Sequence, residues 1–118
     1  MKLEDFEKLA ARALRRLPRE FRDRLDNVVL IVRPAPDRAQ TRRFGAGLLG
    51  LYEGVPLSER GAWYSGAMPD KITLFMKNIE KAGGTGRRLE GEIRHVVMHE
   101  IAHHFGIDDD ELIKKGLY

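Results

Sequence analysis

His99-Glu100-Ile101-Ala102-His103 sets two imidazoles four residues apart with a carboxylate between them. In a helix, residues at that spacing lie about 40° apart around the axis and roughly 6 Å apart along it. Both imidazoles can then reach one cation, at zinc–nitrogen distances of about 2.0–2.1 Å. Glu100 falls outside the pair and is spaced to work on water beside the cation rather than on the cation itself. All four histidines fall between His95 and His104, so the whole imidazole supply belongs to one predicted helix. These residue types at this spacing imply metal-assisted hydrolysis, with zinc as the cofactor.

Two imidazoles leave a catalytic zinc site incomplete, because three protein ligands and a water are usual. Gly106 indicates where a third ligand could come from. A glycine with positive φ at that position lets the chain turn back sharply past the helix end. Asp109 stands three residues later and can complete a set of His99, His103 and Asp109. Asp108 and Asp110 are its adjacent competitors, and all three acids would also suit the N-terminus of a short last helix over 109–115. With a metal in place, Glu100 is the candidate general base and can later return the proton to a leaving amine. A second donor for the developing oxyanion is also expected. Tyr52, Tyr64, Tyr118 and His95 are candidates, and the sequence does not choose among them.

A long helix over about 87–105 must carry this chemistry. Leu89, Ile93, Val97, Ile101 and Phe105 form its core-facing stripe, while His95, His99 and His103 form a separate one on the far side. His104 falls within the apolar stripe and reads as structural; His95 could be a hydrogen-bond partner of a ligand, a transition-state contact, or simply a half-exposed side chain, the last being the plainest reading. Upstream, Leu3, Phe6, Ala10, Ala13, Leu14 and Leu17 recur at helical intervals over 3–17. Pro18 ends that helix and opens a short second one through Leu25. Val28–Val32 is a β-branched run expected as a strand buried on both faces. Residues 34–47 read as a polar loop, 48–53 as a second strand, 57–70 as irregular, and 71–77 as a third strand. Gly83-Gly84-Thr85-Gly86 then launches the long helix.

With 118 residues and no internal repeat or linker, the chain reads as a single domain over 1–118. Cysteine is absent, which excludes disulfides, thiolate zinc sites and cysteine nucleophiles. No apolar run approaches the roughly 20 residues of a membrane span, and the acidic, amphipathic start does not resemble a signal peptide. Cytoplasmic localisation and no membrane partner are therefore expected. The net charge of +3 comes from dispersed arginines, among them Arg15, Arg16, Arg87 and Arg88. Acids are interspersed, so solvated faces account for these arginines more simply than a nucleic-acid footprint does.

The string HEIAHHFGIDD resembles the zincin metallopeptidases, in the version that has aspartate as the third ligand, as in snapalysin-like bacterial proteases. The Met-turn of true metzincins is missing, since no methionine follows Asp109. Nearly the whole chain is similar to the small bacterial zincin, or minimal metallopeptidase, family. Residues 48–56 (LLGLYEGVP), residues 69–75 (PDKITLF) and the motif itself carry that likeness. The resemblance implies an α+β zincin-like fold, a small three- to four-stranded sheet packed with helices including a central HExxH helix. It also implies zinc bound by His99, His103 and Asp109, Glu100 as general base, and a peptide or protein substrate. In zincins an edge strand above the motif helix pairs with extended substrate, and 71–77 is the segment expected to supply it.

Two other functions compete. A metal-dependent ribonuclease of the rRNA-processing type has a similar glycine and acid spacing, and a basic chain would suit RNA. That family has glycine where Glu100 stands and histidine where Asp109 stands, which favours peptide hydrolysis here. A non-catalytic zinc-binding interaction module is the other, motivated by the short chain and the missing Met-turn.

Overall fold

The structure, a computed structural model, describes residues 1–54, 69–107, 110 and 114. Among them are five helices and three strands. In chain order these are α1 (Leu3–Arg15), α2 (Arg19–Arg24), β1 (Val28–Arg33), α3 (Arg38–Phe44), β2 (Gly50–Glu53), β3 (Asp70–Phe75), α4 (Met76–Gly83) and α5 (Gly86–His104). The sheet runs β1-β3-β2, with β1 parallel and β2 antiparallel to β3. The architecture is α+β with a three-stranded sheet, as the family resemblance implied.

Strand register explains how the sheet meets the helices. Leu30, Ile72 and Tyr52 lie in one cross-strand row, and Val32, Leu74 and Gly50 in the next. Because side chains alternate along a strand, both rows face the same side. Ile72 and Leu74 are fully buried there, in one core with Phe6 and Ala10 of α1, Phe21 of α2 and Ile79 of α4. Leu89, Ile93, Val97 and Ile101 bring the inner face of α5 into that core. The motif helix is thus flanked by α1, α4 and β2 and cannot drift relative to the sheet without opening the core. The opposite face of the sheet shows Lys71 paired with Glu53 at 3.7 Å.

The structure departs from the sequence expectations in instructive places. Residues 34–47 are not all loop. Asp37 accepts from the Gln40 backbone while the Gln40 side chain accepts from the Asp37 backbone, a capping box that starts α3. The third strand stops at Phe75, and Met76 and Lys77 open α4 instead. β1 is not buried on both faces; it lies at a sheet edge with Val29 exposed. The segment expected as the substrate-pairing edge is the central strand β3, so the edge beside α5 is β2. Most of the expected 109–115 helix and most of 57–70 lie outside the described residues. No helix among the described residues is long and apolar enough to cross a membrane.

Candidate active site

α5 ends as its sequence requires. Gly106 has φ +73°, its N–H donates to the His103 carbonyl at 3.3 Å, and the Ile107 N–H donates to the Ala102 carbonyl at 2.7 Å. This pair of bonds is a Schellman cap, and it turns the chain back at the His103 end of the helix. Phe105 falls beyond the last helical residue and is exposed rather than in the core stripe.

His95, His99, Glu100 and His103 share one cleft of about 320 Å³, closed on its other side by Leu48, Leu49 and Gly50. The His99 and His103 ring centres are 5.7 Å apart with the rings nearly perpendicular. His95 and His99 are closer, at 4.5 Å, also edge to face. His95, which the spacing alone left undecided, therefore belongs to the cleft wall. Among the described residues no three histidine, aspartate or glutamate side chains form a set that could hold a metal. Asp109 lies outside the described residues, as do Asp108, Tyr64 and Tyr118.

Glu100 is held by the sheet. The Tyr52 backbone N–H, on β2 at the edge of the sheet among the described residues, donates to Glu100 Oε1 at 3.2 Å. That bond leaves Oε2 as the second oxygen of the carboxylate. Burial pushes the Glu100 carboxyl above its ordinary range, while the Tyr52 bond and the nearby His103 pull it part of the way back. A carboxyl raised in this way is a better proton acceptor than a surface glutamate.

Gly50 makes this contact reachable. A Cβ at Gly50 would stand 2.8 Å from Val96 Cγ1 and 3.4 Å from Glu100 Cγ. Val96 is buried and β-branched, so its rotamer on α5 is fixed and it cannot step aside. Gly50→Ala is expected to cost ~1–3 kcal/mol of stability in a urea titration, the usual scale for overpacking. It should also move β2 off Glu100. Further along, the Asn78 amide on α4 donates to the carbonyls of Ala46 and Leu48, both at 2.8 Å. It fixes the segment that brings Leu48 and Leu49 to the cleft.

Tyr52 itself faces elsewhere. Its hydroxyl donates to Asp70 Oδ2 at 2.8 Å and its ring stacks on His104 at 3.9 Å. His104 is exposed rather than part of the core stripe, but its place against Tyr52 agrees with a structural role. Of the candidate oxyanion donors, His95 is the one that the described residues place in the cleft.

A family model for zincin-like metallopeptidases matches residues 25–117, well over half of the chain. The chain belongs to this family. The match spans all three strands, the cleft, the motif and Asp109. No curated protein matches the chain. Membership in the zincin-like metallopeptidases points to a zinc-dependent peptidase and a peptide substrate as the general class of activity.

Proposed function

We propose that this zincin-like chain hydrolyses peptide bonds with Glu100 as general base and with zinc held by His99, His103 and Asp109. The observation that carries the reading is the fixed carboxylate: Glu100 shares the cleft with two clustered imidazoles and is bonded to the strand that forms the opposite wall. The spacing of His99 and His103 supports a shared metal. Two imidazoles on one tetrahedral zinc have ring centres about 5 Å apart, given bonds of ~2.0–2.1 Å. His99 and His103 stand at 5.7 Å, within a small side-chain adjustment of that value. The Schellman turn favours this pair over His95 with His99, because it reverses the chain at Gly106 and Ile107, beside His103. Zinc bound there would polarise the scissile carbonyl and acidify the attacking water.

The chain's own groups do the rest. Leu48 and Leu49 offer an apolar wall that limits water in the cleft. Glu100 takes the proton from the attacking water and delivers it to the amine that leaves when the C–N bond breaks. Its Oε1 stays bonded to Tyr52, so the carboxylate keeps its orientation during the transfer. His95, on the same wall, is placed to donate to the carbonyl oxygen as negative charge gathers on it.

Zinc-loaded protein is expected to cleave an unfolded protein or a mixed peptide library. Chelation should abolish the cleavage, and added zinc should restore it. Mass spectrometry of the products provides the check. RNA cleavage under the same conditions, with peptides left intact, would assign the cleft to the ribonuclease reaction instead.

A further inference from the structure

A second depression of about 740 Å³ lies further along α5, lined by Arg16, Pro18, Arg88, Glu92, Arg94 and His95 among others. It adjoins the cleft, because Glu92 and His95 line both. Its arginines come from two distant parts of the chain: Arg16 caps the end of α1, and Arg88 and Arg94 lie on α5. The fold thus gathers guanidinium groups that look scattered in the sequence.

Behind Arg16 and Arg94 sits Glu90, almost fully buried. Arg16 Nη1 and Arg94 Nη1 approach the same Glu90 oxygen at 3.5 and 3.9 Å. A single carboxylate therefore faces two guanidinium groups. Arg88 is exposed and makes no ion pair among the described residues. Glu92 is the acid that lines the basin beside three guanidinium groups, and Glu90 lies behind two of them.

We propose that this basin is a substrate subsite that takes carboxylate, from acidic side chains or from the C-terminus of a peptide whose scissile bond lies at His99 and His103. The inference rests on the peptidase reading above. Guanidinium presents paired N–H donors that match the two oxygens of a carboxylate, and two of the basin's three guanidinium groups already stand within ion-pair distance of a carboxylate oxygen, that of Glu90. The axial rise of about 1.5 Å per residue puts Arg94 roughly 10 Å, and Arg88 roughly 20 Å, from the midpoint of the two histidines. An extended peptide advances about 3.3 Å per residue. The recognised acid thus lies about three to six residues from the cleaved bond.

The test measures binding, so it does not depend on turnover. Full-length zinc-loaded Glu100→Gln protein is titrated into fluorescent decapeptides and followed by anisotropy. Peptides with aspartate and glutamate are compared with their asparagine and glutamine counterparts, each as free acid and as C-terminal amide. The acidic peptides are expected to bind about tenfold more tightly, a difference of ~1.4 kcal/mol. Added salt should shrink the advantage. Arg88→Gln, a change at an exposed site, should remove most of it, and Arg88→Glu should shift the preference to lysine peptides. Loss of the advantage on amidation identifies the C-terminus as the source; loss on replacing the side-chain acids identifies those. Equal binding of all peptides, or an advantage untouched in both Arg88 variants, overturns the proposal. Tighter binding of single-stranded RNA than of any acidic peptide, lost in Arg88→Gln, overturns it in favour of a phosphate site. A wild-type protein that cleaves no peptide defeats the peptidase reading separately, whatever the binding result.

Discussion

Glu100→Gln is expected to lower kcat by about 10²–10⁴-fold, the range that general acid–base groups contribute, and to leave zinc content unchanged. Glutamine keeps the size of the side chain and an oxygen that can still accept from the Tyr52 N–H. What it loses is the ability to take a proton from water. Because the substitution preserves shape and that hydrogen bond, KM should move little, which marks a group acting in the transition state rather than in binding. Glu100→Ala should be equally inactive and also less well folded around β2, because it releases the bond from the sheet edge. Kinetics on a cleaved peptide together with metal analysis of the same preparations decide the matter. Retained activity in Glu100→Gln would remove the carboxylate from the reaction.

The distinction between those two variants follows from a feature that spacing could not disclose. The order of residues 99–103 is enough to place Glu100 beside the two imidazoles on a helix, and Gly106 is enough to end that helix with a left-handed residue. Both are local properties, set by the α-helical period and by the absence of a Cβ. Tyr52 lies forty-eight positions away from Glu100, and its backbone donor reaches the carboxylate only because β2 is an edge strand and Gly50 lets it come close. Strand order is a non-local outcome. The apolar run 71–77 carries no mark of whether it will be central or at an edge, and it proves central.

The arginines show the same boundary from the other side. Arg16 and Arg88 read as members of solvated faces while each is considered on its own helix. They come to line one depression when α1 packs on α5, with a buried Glu90 behind Arg16 and Arg94. By contrast α3 has a local signature: Asp37 and Gln40 have the three-residue spacing of a capping box, although Pro34, Pro36 and the density of arginine suggest a loop. His95 was ambiguous for a physical reason. One turn before His99 it shares the histidine stripe, yet whether that stripe is roofed depends on where Leu48 and Leu49 pass, and Asn78 settles that from α4.

Metal content of single-alanine variants is expected to separate the histidines sharply. His99→Ala, His103→Ala and Asp109→Ala should each weaken zinc binding by more than the ~10–100-fold seen when only an outer hydrogen-bond partner of a ligand is lost. His95→Ala should keep its zinc and lose activity, since that side chain is read as a substrate contact. The comparison has force because geometry admits a rival. His95 and His99 are also one turn apart, with ring centres at 4.5 Å, and could grip a cation between them. Zinc lost from His95→Ala and kept by His103→Ala would move the site one turn towards the N-terminus of α5 and detach it from Asp109. Thermal unfolding supplies an independent reading. A ligand present at a hundred times its Kd stabilises the folded state by ~2.7 kcal/mol, or about 10 °C in Tm for a domain of this size. Wild type and His95→Ala should show that rise when zinc is added to chelated protein. His99→Ala, His103→Ala and Asp109→Ala should unfold at the same temperature with or without it, because a metal that no longer finds its ligands in the native state cannot pull the equilibrium towards it.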